Sequence, residues 1–204
     1  MSPRQAHWNE VYATKAADKV SWFQAHAAMS MRLIAAAGAS EESAVIDIGS
    51  GASVLIDQLV DAGFGDVTVL DISERALRLT KDRLSSRAGE VHWIVSDVLA
   101  WTPARAYDIW HDRAVFHFLT DESERTAYRS VLEKGLRKSG TLILGTFADD
   151  GPERCSGLPV HRWSADALAR ELRPEFRPIE SLREDHRTPG GAVQPFTWAR
   201  FERV

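Results

Sequence analysis

The chain of 204 residues contains one cysteine, Cys155, so no internal disulfide can brace it. It has no run of 18 apolar residues, which excludes a helical membrane span. Its first residues, Met1-Ser2-Pro3-Arg4-Gln5-Ala6-His7-Trp8, lack the apolar stretch of a secretory signal. Together with the scarcity of cysteine, this predicts a cytoplasmic protein. An excess of positive charge is missing too: the formal net charge is −4 and the pI about 6.0. Broad electrostatic capture of nucleic acid is therefore not expected. There is no second cysteine and no His-x-x-x-His pair, so no metal site is expected. Repeats and low-complexity segments are absent as well.

What the chain does have is a core: 44% of its residues are hydrophobic, ordinary for one soluble domain of this length. The segment up to Val20 is polar, with Trp8 and Tyr12 in it and Trp22 just beyond. Met29, Leu33 and Ile34 are spaced for a helix over 25–37, ended by Gly38. Short apolar runs then alternate with helical patterns. Strands are predicted over 45–48, 67–70, 91–95, 107–110 and 141–147, and helices over 54–62, 74–85 and 122–134. Asp121 and Glu124 have the spacing of a capping box for the last helix. Strands and helices in this order imply parallel βαβ units, hence an α/β sheet covered on both faces. The tail differs. Ser164 caps a short helix, and two strand candidates, 176–183 and 194–203, flank a turn-rich loop over 185–191.

The first strand runs into Asp47-Ile48-Gly49-Ser50-Gly51. Glycines at a strand-to-helix turn let the backbone bend sharply and approach a ligand. Asp71 ends the second strand, where a carboxylate can accept hydrogen bonds from ribose hydroxyls, and Asp97 ends the third. Groups from three adjacent strand ends thus converge on one crevice. A dinucleotide fingerprint calls for a third glycine, where this chain has Val54. Asp47 would sit badly beside a pyrophosphate but suits the ammonium of a methionine moiety. Both features count against an NAD-dependent oxidoreductase.

These residues carry a family resemblance. Val45-Ile46-Asp47-Ile48-Gly49-Ser50-Gly51 resembles motif I of class I S-adenosylmethionine (SAM) dependent methyltransferases. Val69-Leu70-Asp71-Ile72-Ser73 is similar to their motif II, and Ser96-Asp97-Val98 to their adenine-binding motif. The likeness implies a Rossmann-like seven-stranded sheet whose last strand is antiparallel, with helices on both faces. It implies that Gly49 and Gly51 pass the methionine moiety, Asp71 holds the ribose and Ile72 flanks the adenine. By the same likeness Asp97 meets the adenine amino group and Val98 offers a backbone N–H. The single domain, 1–204, then divides into an N-terminal lid segment (1–24), a cofactor-binding core (44–147) and an acceptor-side region with the terminal hairpin (148–204).

Methyl transfer from a sulfonium is an in-line displacement that needs a dry, aligned nucleophile and, for some acceptors, a base. The expected place is the segment after the fourth strand, His111-Asp112-Arg113-Ala114-Val115-Phe116-His117-Phe118. It resembles the Asp-Arg-Gly/Ala segment of thiopurine methyltransferases and the Asp-Lys-Gly segment of small protein-lysine methyltransferases. Trp8, Tyr12 and Trp22-Phe23 are similar to the aromatic lid of those families. Arg113 is the candidate to orient the SAM carboxylate or a substrate anion, and Asp112 to assist or simply pair with it. His111 or His117 is the candidate base, since imidazole titrates near neutrality, with His186 a second candidate. Phe116, Phe118, Trp22 and Phe23 are expected to form a dry wall. The segment 149–159 is expected to line the acceptor pocket, with Cys155 an incidental thiol. The combined expectation is methyl transfer from SAM to a small acceptor, a thiol or other soft nucleophile, with release of S-adenosylhomocysteine. The alternatives are protein lysine N-methylation, for which Asp149-Asp150 offers acidity, and a SAM-binding regulator without turnover.

Overall fold

The computed structural model describes all residues, 1–204. Its first helix, α1 (Pro3–Thr14), lies in the polar N-terminal segment where no helix was expected. Ser2 caps it by accepting from the Gln5 N–H at 3.1 Å, and Pro3 occupies the first turn, where its missing N–H costs nothing. Only Val11 and Tyr12 of this helix are buried, so its apolar pattern was too thin to read.

The rest is a layered α/β body. The helix α2 (Ala28–Ala36) precedes β1 (Val45–Ile48), α3 (Leu55–Asp61), β2 (Val67–Asp71), α4 (Glu74–Leu84) and β3 (Val91–Val95). Then come β4 (Tyr107–Arg113), α5 (Glu122–Gly135), β5 (Leu136–Phe147) and a two-rung hairpin, β6 (Arg154–Cys155) with β7 (Leu158–Pro159). The chain ends with α6 (Ala165–Glu171), β8 (Phe176–Arg187) and β9 (Val193–Arg203). The seven-stranded sheet has the order β3-β2-β1-β4-β5-β9-β8. Strands β1 to β5 run parallel, while β9 lies antiparallel between β5 and β8. From β1 the chain builds outward to β2 and β3, then returns to the other side for β4. The crevice between β1 and β4 is therefore the switch point at which open α/β sheets bind ligands.

The sheet is covered on both faces. One face buries Trp110, Leu142, Leu144 and Phe201 against Tyr128 and Leu132 of α5 and Leu168 of α6. The other buries Val45, Val69, Ile143 and Trp198 against Leu33 of α2 and Ile56 and Leu59 of α3. Burying each such side chain contributes about 1.5–3 kcal/mol.

The structure corrects several expected boundaries. β4 runs on through His111, Asp112 and Arg113, so these residues belong to a buried strand and not to the segment after it. β8 runs on to Arg187, which puts His186 in the sheet and not in the loop. β5 begins at Leu136, straight from the end of α5. The capping box at Asp121 does not form: the Asp121 side chain makes no cap hydrogen bond, and Glu124 is drawn instead to Arg4 of α1.

Candidate active site

The carboxyl ends of β1, β2, β3 and β4 open into one mostly apolar cavity. Its floor is the turn after β1. Gly49 and Gly51 both have positive φ, +61° and +59°, which an L side chain rarely adopts. They also lack room: a Cβ on Gly49 would meet Val115 Cγ2 at 2.0 Å, and one on Gly51 the Tyr12 hydroxyl at 2.2 Å. The roof is α1, whose Arg4, Trp8 and Tyr12 line the cavity. Trp8 packs edge-on against Trp22 and Phe118, with ring centroids 5.9 and 5.2 Å apart. Three polar contacts tie the helix down. Ser73 Oγ donates to Asn9 Oδ1 at 2.7 Å, Arg75 Nε to the Tyr12 carbonyl at 3.1 Å, and Arg4 pairs with Glu124.

At the β2 and β3 ends stand Asp71, Ile72, Asp97 and Val98, all lining the cavity. Asp71 accepts from Gly51 N–H at 2.8 Å through one oxygen and from Ser73 N–H at 2.7 Å through the other. Burial pushes its carboxyl up to about 6, against the pull of those two N–H groups. Each oxygen keeps lone-pair capacity for a hydroxyl. Asp97 accepts from Leu99 N–H at 3.0 Å and has Arg4 Nη1 at 3.5 Å on its other oxygen.

A second, smaller pocket adjoins the first through Gly49, Trp22 and Arg113, and is also lined by Ser50, Asp47 and His111. It holds buried polar atoms without a partner: Asp47 Oδ2, Ser50 Oγ, and Nε and Nη2 of Arg113. Arg113 spends Nη1 on the Trp22 carbonyl, at 3.0 Å, and lies over the Phe196 ring at 4.8 Å. Unsatisfied buried carboxylate and guanidinium atoms are costly unless a ligand completes them. A zwitterionic amino-acid end fits, with its ammonium toward Asp47 and its carboxylate toward Arg113.

The other residues of this segment lie elsewhere. Asp112 faces the opposite side of the sheet. It accepts from Tyr128 Oη at 2.6 Å and from the Val115 and Phe116 N–H groups at 2.8 and 3.3 Å. It thus fixes the turn after β4, and burial pushes its carboxyl up to about 6. Phe116 is buried beside Tyr128 and Trp163, not in the cavity wall; Phe118 and Trp22 line the cavity, and Phe23 the second pocket. His117 is fully buried, and its Nδ1 accepts from Phe147 N–H at 3.3 Å. Burial, with Arg113 nearby, lowers its pKa to about 3, which makes it a weak base, and it lines neither pocket. His186 donates Nε2–H to the Ser21 carbonyl at 2.7 Å, outside both pockets. His111 has both ring nitrogens engaged, Nδ1 with Asp47 at 2.7 Å and Nε2 with Ser30 at 2.9 Å. From the segment 149–159, Cys155 reaches the cavity, its thiol pushed up to about 12 by burial. Arg4 and Ser30 were given no role by the sequence. Neither sits in a motif, and each meets the site only through a distant element.

Comparison with known proteins agrees with this geometry. Residues 45–140 match the family model described as a methyltransferase domain. An EEF1A lysine methyltransferase 2 from Danio rerio is 24% identical over 159 residues, covering 74% of this chain and 62% of that protein. An eEF1A lysine and N-terminal methyltransferase from Bos taurus is 32% identical over 84 residues, 40% of this chain. The chain spans only 12% of the length of the bovine relative and 62% of the zebrafish one. Among solved structures, the Burkholderia thailandensis 1,6-didemethyltoxoflavin-N1-methyltransferase, with S-adenosylhomocysteine bound, superposes with a TM-score of 0.76 at 20% identity. The likeness covers 98% of this chain and 87% of that one. The N-methyltransferase NodS from Bradyrhizobium japonicum, also with S-adenosylhomocysteine, gives 0.73 at 20% identity over 97% and 98%. The chain thus has the fold of these methyltransferases, and its residues 45–140, which include the turn after β1 and the acids Asp71 and Asp97, match the methyltransferase domain.

Proposed function

We propose that this protein transfers the methyl group of SAM to a small, soft nucleophile, a thiol or related chalcogen, and releases S-adenosylhomocysteine. Bound SAM supplies an electrophilic methyl on a sulfonium, so the S–CH₃ bond breaks as the bond to the acceptor forms. The protein's part is to bind, orient and dry. In this reading Asp71 holds the ribose, Asp97 and Val98 the adenine, and Asp47 and Arg113 the two charged ends of the methionine moiety. The segment 1–24 acts as a lid through Trp8, Tyr12 and Trp22, over a core of 44–147, with 148–204 on the acceptor side.

The observation that carries the acceptor class is the wall between α1 and the turn after β4. It is built of Trp8, Trp22, Val115, Phe118, Leu119 and Cys155. It offers no carboxylate beyond Asp71 and Asp97 and no histidine. An acceptor there must bring its own reactive electron pair, as a thiol does near neutral pH. The Arg113 charge beside this wall favours an anionic form.

Protein lysine N-methylation is a second reading, favoured by the names of the two curated relatives. A lysine ammonium needs an acid to attract it and a route for its proton. Asp150 is turned to Arg183 on the surface, and neither Asp149 nor Asp150 lines the cavity.

The deciding assay incubates the protein with SAM and a panel of small thiols, sulfide and selenide, and follows S-adenosylhomocysteine release. Turnover is expected with at least one of them. It should be lost in Asp71→Ala, whose SAM affinity should fall by about 1–3 kcal/mol. SAM binding without turnover on the panel, but with labelling of a protein lysine in cell extract, would replace this reading with the second.

A further inference from the structure

Behind the second pocket, three buried polar side chains form a row from helix to sheet. Ser30 of α2, His111 of β4 and Asp47 of β1 are 1%, 2% and 2% exposed. Asp47 and His111 are register partners on adjacent parallel strands, so their side chains leave the sheet on the same face. Ser30 closes the row from above, with its Oγ 2.9 Å from His111 Nε2.

We infer that Ser30 and His111 are positioning residues for the amino end of the methyl donor, and that they act by holding Asp47. A carboxylate only accepts, so the 2.7 Å contact to Asp47 Oδ1 places the proton on His111 Nδ1. In the neutral ring this leaves a lone pair on Nε2, and Ser30 donates its hydroxyl proton there. The row therefore has one direction: Ser30 to His111, His111 to Asp47. It fixes the tautomer and the plane of the ring. It also anchors one oxygen of Asp47 and leaves the other, Oδ2, without a partner beside the pocket.

The ring has a further support. Trp198 of β9 lies against it, with centroids 5.9 Å apart. The indole gets there across β5 because residue 145 is glycine, where a Cβ would sit 2.9 Å from the ring. Its Nε1 is held by Glu184 Oε2 at 2.8 Å. His111 is thus clamped by a hydroxyl, a carboxylate and an indole. That suits a group that orients another and does not suit one that must exchange protons with a substrate.

The inference rests on the cofactor assignment above, and the test separates the two. S-adenosylhomocysteine carries the amino-acid end; 5′-methylthioadenosine carries the same adenosine and sulfur without it. Binding of each is measured by calorimetry on the wild type, His111→Leu, His111→Asn and Ser30→Ala. His111→Leu should weaken S-adenosylhomocysteine by about tenfold or more, the scale of one charge-assisted hydrogen bond, and leave 5′-methylthioadenosine unchanged. His111→Asn, whose amide can donate to Asp47 from near the Nδ1 position, should recover most of that loss. Ser30→Ala should cost a few-fold on the first ligand only, and is the milder variant should His111→Leu not fold. Equal loss on both ligands, or no loss on S-adenosylhomocysteine, overturns the positioning role. A wild type that binds neither ligand overturns the cofactor assignment and this inference with it.

Discussion

Asp47 and Asp112 stand on neighbouring strands at the same edge of one sheet, with Ile48 the register partner of Asp112. Both are buried, at 2% and 0% exposure. Asp112 faces α5 and spends both oxygens within the protein, on Tyr128 and on two backbone N–H groups of the turn after β4. Asp47 faces α2 and spends one oxygen on His111, leaving the other without a partner. Residue type, depth and strand position are nearly matched; what differs is whether both oxygens have a partner. A carboxylate with both oxygens held by the protein fixes the fold. One at equal depth with an oxygen unpartnered holds unfavourable energy that a ligand can relieve.

The strongest way to break this comparison is to remove the acid with both oxygens held. Asp112→Ala strands the Tyr128 hydroxyl and two N–H groups, and should cost roughly 3 kcal/mol of stability, read from urea unfolding. A loss below about 1 kcal/mol would mean that the turn keeps its own shape. The matching change on the other strand should act on a different quantity. Asp47→Asn is expected to lower S-adenosylhomocysteine affinity by about 2 kcal/mol while the melting temperature of the free protein holds or rises. A fall in stability as large as that of Asp112→Ala would erase the distinction.

His117 sharpens the comparison with pH. Its folded pKa, about 3, lies below the ordinary 6.5 because burial disfavours the imidazolium. The unfolded chain therefore binds the proton first, and the contribution of His117 to stability, complete above about pH 6.5, is lost as pH falls toward 3. Relative to His117→Phe, the wild type should lose about 2 kcal/mol between pH 7 and pH 5. Parallel stability curves for the two proteins would show that the ring is charged or solvated in the fold.

The half of the molecule from β1 to β3 was legible because its signals are local. Val45-Ile46-Asp47-Ile48 is apolar enough to read as a strand, and the glycines after it mark the turn. The sheet class and the strand-end acids Asp71 and Asp97 follow from the same spacing. Beyond β4 the signals are not local. His111, Asp112 and Arg113 look like a polar loop, yet they continue a buried strand. Their partners come from α2, α5 and the segment before α2: Ser30, Tyr128 and the Trp22 carbonyl. Two of these pairs span 81 and 91 residues, and even the Asp112–Tyr128 pair, 16 residues apart, joins a strand to a helix across a turn. Helix α1 is hidden for a related reason, since only two of its residues are buried and it is tied down by distant groups such as Ser73, Arg75 and Glu124. Glu124 was misread as a cap because Arg4, far away in the chain, claims it.

The roof over the cavity has a kinetic consequence. Tyr12 rests against Gly51 so closely that a Cβ there would overlap its hydroxyl, and Trp8 leans on Phe118. Helix α1 therefore closes over one side of the cavity and touches its floor. The lid reading predicts that each exchange of spent donor for fresh donor breaks the contacts of the helix to Ser73, Arg75 and Glu124 together. These are modest polar contacts near the surface, each worth about 1 kcal/mol, so undocking is frequent but not free. On that reading the working tempo follows how often the first helix lifts, and turnover measured against salt should rise as the Arg4 pair weakens.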